Sequence, residues 1–168
     1  MALKIALRAA RFLNDFLLSE SFAKEDNLLS GSAAWLDDKT TEKIFFLWQD
    51  FLNRLEDSVC SGVKIDFEFI YSQFILRALD FLGFLPDIFS CFECGQRLEG
   101  KDSLFSQTNF FCFDCARKKT LSGQVISVQT LSLIKQILAS VWFNQAETAQ
   151  EVKILTNSFL AQAYNFML

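Results

Sequence analysis

Two short cysteine repeats constrain this chain more than anything else in it. Cys91-Phe92-Glu93-Cys94 and Cys112-Phe113-Asp114-Cys115 are Cys-x-x-Cys pairs with seventeen residues between them. That is the spacing of a four-cysteine zinc site. Two residues between thiolates allow one tight turn to bring both sulfurs to ~2.3 Å from a single ion. Gly95, directly after the second sulfur, suits the sharp exit from such a turn. The insert is long enough for a β-hairpin that returns the second turn to the first. Ser103-Leu104-Phe105 and Phe110-Phe111 read as its strands, and Gln107, Thr108 and Asn109 as its tip. Four thiolates close a tetrahedron and leave no position for a substrate. The expected centre is therefore one structural Zn²⁺ held by Cys91, Cys94, Cys112 and Cys115. Such binding contributes ~10–16 kcal/mol in zinc peptides, as much as the stability of a whole domain. Redox dithiols, a pair of disulfides and an iron–sulfur cluster are the alternatives. No thioredoxin-like βαβ pattern surrounds either pair, and the spacing is not typical of a cluster. Cys60, beside Ser61-Gly62, lies outside the pattern and reads as a semi-buried small residue.

Composition narrows the chemistry. The 168 residues contain no histidine, which removes His-based nucleophile activation, a His general base and imidazole metal ligands. The balance of 16 basic against 20 acidic side chains argues against a nucleic-acid-binding surface spread over the whole chain. A zinc–tetrathiolate unit makes that balance more acidic still. One basic cluster stands out: Arg117-Lys118-Lys119, with Arg97 and Lys101 near the first cysteine turn. It reads either as a nucleic-acid or partner-contacting edge or as compensation for the zinc–thiolate charge on a solvated face. No apolar run approaches the ~18 residues of a membrane span. Lys4, Arg8 and Arg11 interrupt any signal-peptide core. The cysteines then belong most simply to a reducing, cytoplasmic compartment.

The rest of the chain is helical in pattern. Ala2 to Leu18 shows apolar residues at three- and four-residue steps and starts without a cap, which leads us to expect a domain upstream of it. Ser19 to Asp38 is loop-like, with Phe22, Leu28, Leu29, Trp35 and Leu36 able to dock on a core. A second helix is expected from about Lys39 to Asp57 with Asp38 as N-cap, and a third from about Val63 to Leu82 with one apolar stripe. Gly83 and Pro86 end the third. Ser127 caps a fourth, and Thr148 with Glu151 forms a capping box for a fifth. The expected fold is all-α: a bundle of about five helices with an inserted zinc ribbon or knuckle module containing a short β-hairpin. Residues 1–86 form the first part of the bundle, 87–119 the inserted module and 120–168 the closing helices.

This order of parts resembles the C-terminal part of the bacterial recombination mediator RecO. The stretch Ala78-Leu79-Asp80-Phe81-Leu82-Gly83-Phe84-Leu85-Pro86-Asp87 carries the likeness, with Cys91-x-x-Cys94-Gly95 and Cys112-x-x-Cys115-Ala116 following in register. The family's N-terminal OB-fold and Lys-rich C-terminal tail are not in this sequence. Where the family often has Gly-Gly before the second pair, this chain has Thr108-Asn109-Phe110-Phe111, and Asn can take the left-handed turn conformation. The resemblance implies a non-enzymatic DNA repair and recombination domain. Its partners would be RecR and the tail of single-strand-binding protein. Together they would load recombinase on single-stranded DNA and anneal strands, with DNA contacted mainly through the OB-fold. A zinc-stabilised regulatory or scaffold domain unrelated to DNA is the rival reading, and a thiol redox enzyme the third.

Overall fold

The computed structural model describes residues 1–17, 38–60, 65–139, 141–144 and 147–167. The five apolar residues of the expected loop, and Gly62, lie outside the described residues, whereas Asp38, its last residue, opens the second helix. Helix α1 spans Ala2–Leu17, α2 Asp38–Cys60 and α3 Phe67–Phe81. Strands β1 (Ser103–Ser106) and β2 (Asn109–Phe111) follow, then helix α4 (Phe113–Lys118) and strand β3 (Gln124–Ile126). Helices α5 (Val128–Leu138) and α6 (Ala149–Met167) close the order. Among the described residues, no helix is long and apolar enough to cross a membrane.

The fold is mainly helical, as the periodicity predicts, with two additions. Short α4 is a sixth helix, and β3 joins the hairpin to make a three-stranded antiparallel sheet in the order β2-β1-β3. Three residues of alternating pattern were too little to identify β3 from sequence. Its approach to β1 depends on Gly123, where an added Cβ would lie 2.2 Å from the Phe105 carbonyl oxygen.

Helix α3 organises the bundle. Sequence periodicity predicts one apolar stripe, but every residue from Phe69 to Leu79 is buried. It therefore packs on all sides, against α1, α2, α5 and α6. Its start is set later than expected. Asp66 is the N-cap, its Oδ1 accepting from the Phe69 N–H at 3.1 Å while Oδ2 accepts from Lys153 of α6 at 2.5 Å. Gly83 takes a φ of +74°, as required to turn the chain out of the helix. Phe74 lies at the aromatic centre, its ring 4.6 Å from Phe51, 6.0 Å from Trp48 and 6.3 Å from Phe12.

Two polar residues in the middle of α3 are satisfied by one short piece of chain. Gln73 donates to the Phe143 carbonyl at 2.7 Å and accepts from the Phe143 N–H at 2.8 Å. Arg77 donates from Nε to the Ile137 carbonyl at 2.6 Å and from Nη2 to the Val141 carbonyl at 2.8 Å. These carbonyls lie at the end of α5, where helical partners run out, so the guanidinium serves as its cap. The expected capping box at α6 does not form as such. Glu151 turns its Oε2 toward Thr130 at 2.6 Å and Ser127 at 3.3 Å, tying the start of α6 to the start of α5. Ser127 caps α5 as expected, accepting from the Thr130 N–H.

Removing the aromatic at the centre should cost what a large core truncation costs. Phe74→Ala is expected to lower unfolding free energy by about 3–5 kcal/mol in a urea titration. A change under ~1 kcal/mol would contradict the placement of Phe74 at the core.

Candidate metal centre

The first cysteine turn is built by backbone hydrogen bonds. The Cys91 N–H donates to the Gln96 carbonyl and the Gly95 N–H to the Cys91 carbonyl, both at 2.8 Å. Ser90 and Arg97 pair as an isolated antiparallel bridge, and Leu98 N–H reaches the Phe89 carbonyl at 2.8 Å. Gly95 has a φ of +68° with open space around its Cβ direction. Its requirement is therefore backbone conformation rather than room.

The second turn leads into α4. Cys112 occupies the N-cap position, its Sγ accepting from the Cys115 N–H at 3.5 Å. The hairpin delivers it there. Leu104, Phe105 and Ser106 pair with Phe111, Phe110 and Asn109. The tip is tighter than expected: Gln107 and Thr108 take φ values of 48° and 68°, and Asn109 already belongs to β2. Two residues at positive φ are what a right-twisted two-residue hairpin demands, so the turn strains two ordinary side chains. The Phe92 N–H donates to the Phe110 carbonyl at 2.8 Å, which joins the first turn to the strand leading into the second.

The result is a cluster in which the sulfurs of Cys91, Cys94, Cys112 and Cys115 all lie within 4.8 Å of one another. Cys94 and Cys112 sulfurs are 3.9 Å apart. A tetrahedron with metal–sulfur arms of ~2.3 Å has edges of ~3.8 Å, so the spacing fits zinc. The donor set agrees: four soft ligands of one kind, without imidazole or carboxylate. No disulfide links any of the five cysteines. Cys91 and Cys112 are buried and Cys94 is exposed, while Cys60 sits exposed at the end of α2, apart from the cluster.

Burial works to raise Cys91, but the N–H groups of Cys112, Cys94 and Glu93 directed at its sulfur outweigh it and bring the thiol down to about 6. Cys115 is pushed up to about 12 by sulfur hydrogen bonds with Cys112 and Cys94, then by burial and by Cys91. A cation bound here must displace the Cys115 proton.

Of the predicted basic residues, Arg97, Lys101, Arg117, Lys118 and Lys119 are all exposed. Lys119 pairs with Glu93, so it joins the end of α4 to the first cysteine turn. Sequence reading missed a second group: Lys43, Asp50, Arg77 and Trp142. Its one sequence signal was an arginine inside the apolar run Phe74-Ile75-Leu76-Arg77-Ala78-Leu79.

The module rests on the bundle through rings. Phe110 is fully buried, 5.1 Å from Phe105 and 6.2 Å from Phe159 of α6, and Phe105 lies 5.6 Å from Phe159. Buried apolar residues of module and helices form one continuous cluster.

A helical domain around one central helix, with a four-cysteine module suited to a structural metal built into it, defines the class of protein. The family described as "Recombination protein O C terminal" matches residues 32–165, and the chain belongs to that family. It is a RecO-like domain of DNA recombination and repair. No curated protein and no solved structure matches it.

Removing a ligand should separate the cluster from the odd cysteine. Cys112→Ser is expected to abolish stoichiometric zinc and speed amide exchange across residues 87–119, while Cys60→Ser leaves both unchanged. Elemental analysis and hydrogen exchange check this. Full zinc in Cys112→Ser would overturn the ligand assignment.

Proposed function

We propose that this chain is a non-enzymatic interaction domain of a recombination mediator, acting in the cytoplasm. Its partners are RecR and single-strand-binding protein, with which it loads a strand-exchange recombinase on single-stranded DNA and anneals complementary strands. The observation that carries this reading is the family match over residues 32–165. The chemistry of the centre agrees with it. Four thiolates fill the coordination sphere of a zinc ion, so the metal's part is to hold the module together. DNA itself falls mainly to the OB-fold that the family carries.

The tail of single-strand-binding protein is acidic and then apolar. A site for it needs apolar walls and a cation for the terminal carboxylate. The cleft between α2 and α3 supplies both. On α2, Lys43, Phe46, Leu47 and Asp50 follow one another at helical spacing on one face, and Arg77 and Phe81 face them from α3. The cleft holds about 280 Å³. Lys43 Nζ stands 5.6 Å above the Phe81 ring. Phe46 is 56% exposed and packs edge-on against Phe45, itself 55% exposed. Two half-open aromatics on one turn of a helix are apolar surface available to a partner. We place the tail in this cleft.

A labelled tail peptide titrated with the zinc-loaded chain tests the reading. Lys43→Glu and Phe46→Ala are each expected to weaken binding about tenfold, a typical cost for an interface anchor or a reversed charge. Lys135→Glu, in the separate cleft lined by Phe89, Val128 and Leu131, should leave it unchanged. No binding by the zinc-loaded chain would contradict the mediator reading.

A further inference from the structure

The α2–α3 cleft contains its own anion. Arg77 is 2% exposed, and two of its three guanidinium nitrogens are spent on the Ile137 and Val141 carbonyls. The third, Nη1, faces Asp50 Oδ2 at 3.9 Å, beyond hydrogen-bond reach. Asp50 is held at this distance from the other side. The Trp142 indole N–H donates to the same Oδ2, and the Trp142 ring lies 4.3 Å from the Arg77 guanidinium carbon. Burial draws Arg77 down to about 10, with Asp50 opposing that shift. Lys43, the other cation lining the cleft, opposes the rise that burial gives the Asp80 carboxyl on α3. Among the described residues that line the cleft, the charges are therefore two cations, Lys43 and Arg77, and one carboxylate, Asp50.

A cation this deeply buried is usually closed off by a tight, direct carboxylate pair. Here the pair is loose, and both partners line an open cleft. A carboxylate that approaches Arg77 Nη1 from the cleft meets the Asp50 carboxylate, 3.9 Å from the same nitrogen. We infer that Asp50 is a selectivity gate: a built-in competitor that sets how strongly the cleft accepts an anionic peptide end. This rests on the cleft being the tail site proposed above. Asp50 weakens capture of an anionic peptide by like-charge repulsion, and the more so the more carboxylates the peptide brings. Binding then goes to peptides whose contacts with Lys43 and the apolar walls offset that repulsion. The same residue fixes Trp142, so the gate is tied to the segment that Gln73 and Arg77 strap to α3.

The test uses two peptides and the zinc-loaded chain. One peptide ends in acidic residues followed by an apolar residue with a free carboxylate. The other replaces the acids by amides and ends in a carboxamide. Asp50→Asn removes the charge and keeps an oxygen for the Trp142 indole. We expect it to tighten the acidic peptide about threefold to tenfold, and more at low salt, without tightening the neutral one. Asp50→Glu restores the charge and should return the affinity toward that of the natural chain. Thermal melts of each variant establish that it is folded, and Asp50→Ser serves in place of any Asn variant that is not. If the acidic peptide binds and both charge-removing variants match the natural chain, the gate is overturned and the tail site stands. An equal gain for the neutral peptide overturns it too, because charge would not be the cause. If the acidic peptide binds no variant, the tail site itself fails and the gate with it.

Discussion

Four sulfur atoms converging on one point are the constraint from which the module follows. The segment from Asp87 to Lys119 contains two short strands and a six-residue helix. Elements this small bury too little surface to order themselves, and closing a loop between them costs entropy that their own contacts do not recover. A cation bound by four thiolates supplies a free energy of domain size at one place. The backbone is arranged for it: Gly95 at positive φ in the first turn, Cys112 as helix cap in the second, and the Phe92–Phe110 hydrogen bond between them.

The module in turn belongs to the bundle's core. Phe110 and Phe105 meet Phe159, so the sheet rests on α6. On the opposite side of the chain order, Asp102 accepts from the Val128 N–H at 2.9 Å, adding a side-chain acceptor at the first turn of α5. Two of the helices that pack on α3, namely α5 and α6, are thus the ones the module touches. Inside α3, Gln73 and Arg77 exchange apolar packing for fixed hydrogen bonds to the segment after α5. Buried polar groups held by specific hydrogen bonds favour one defined arrangement, and removing such a partner costs the desolvation penalty of the group left behind. The result is a cleft whose walls are helices and whose buried cation, Arg77, is held by the core.

Much of this was legible in the sequence because the signals were chemical. Cysteine spacing located the metal centre, Gly83 and Ser127 marked helix ends, and the short strand-like runs at Ser103–Phe105 and Phe110–Phe111 marked the hairpin. What escaped had tertiary causes. Periodicity cannot distinguish a helix with one buried stripe from α3, which is covered on every side by helices distant in sequence. The hairpin tip fell on Gln107 and Thr108, residues with no intrinsic preference for positive φ, because β1 and β2 fix the register on either side. Glu151 left its expected local partner for Ser127 and Thr130 once α5 came alongside. Arg77 stood out in its apolar run, but its role as the cap of α5 depends on carbonyls sixty residues away.

X-ray absorption at the zinc edge on the purified chain tests the central claim most directly. The account predicts one zinc per chain with a single shell of four sulfurs at ~2.3 Å and no light-atom ligand. A shell containing nitrogen or oxygen, or protein that is fully folded by hydrogen exchange across residues 87–119 while holding no metal, would contradict it.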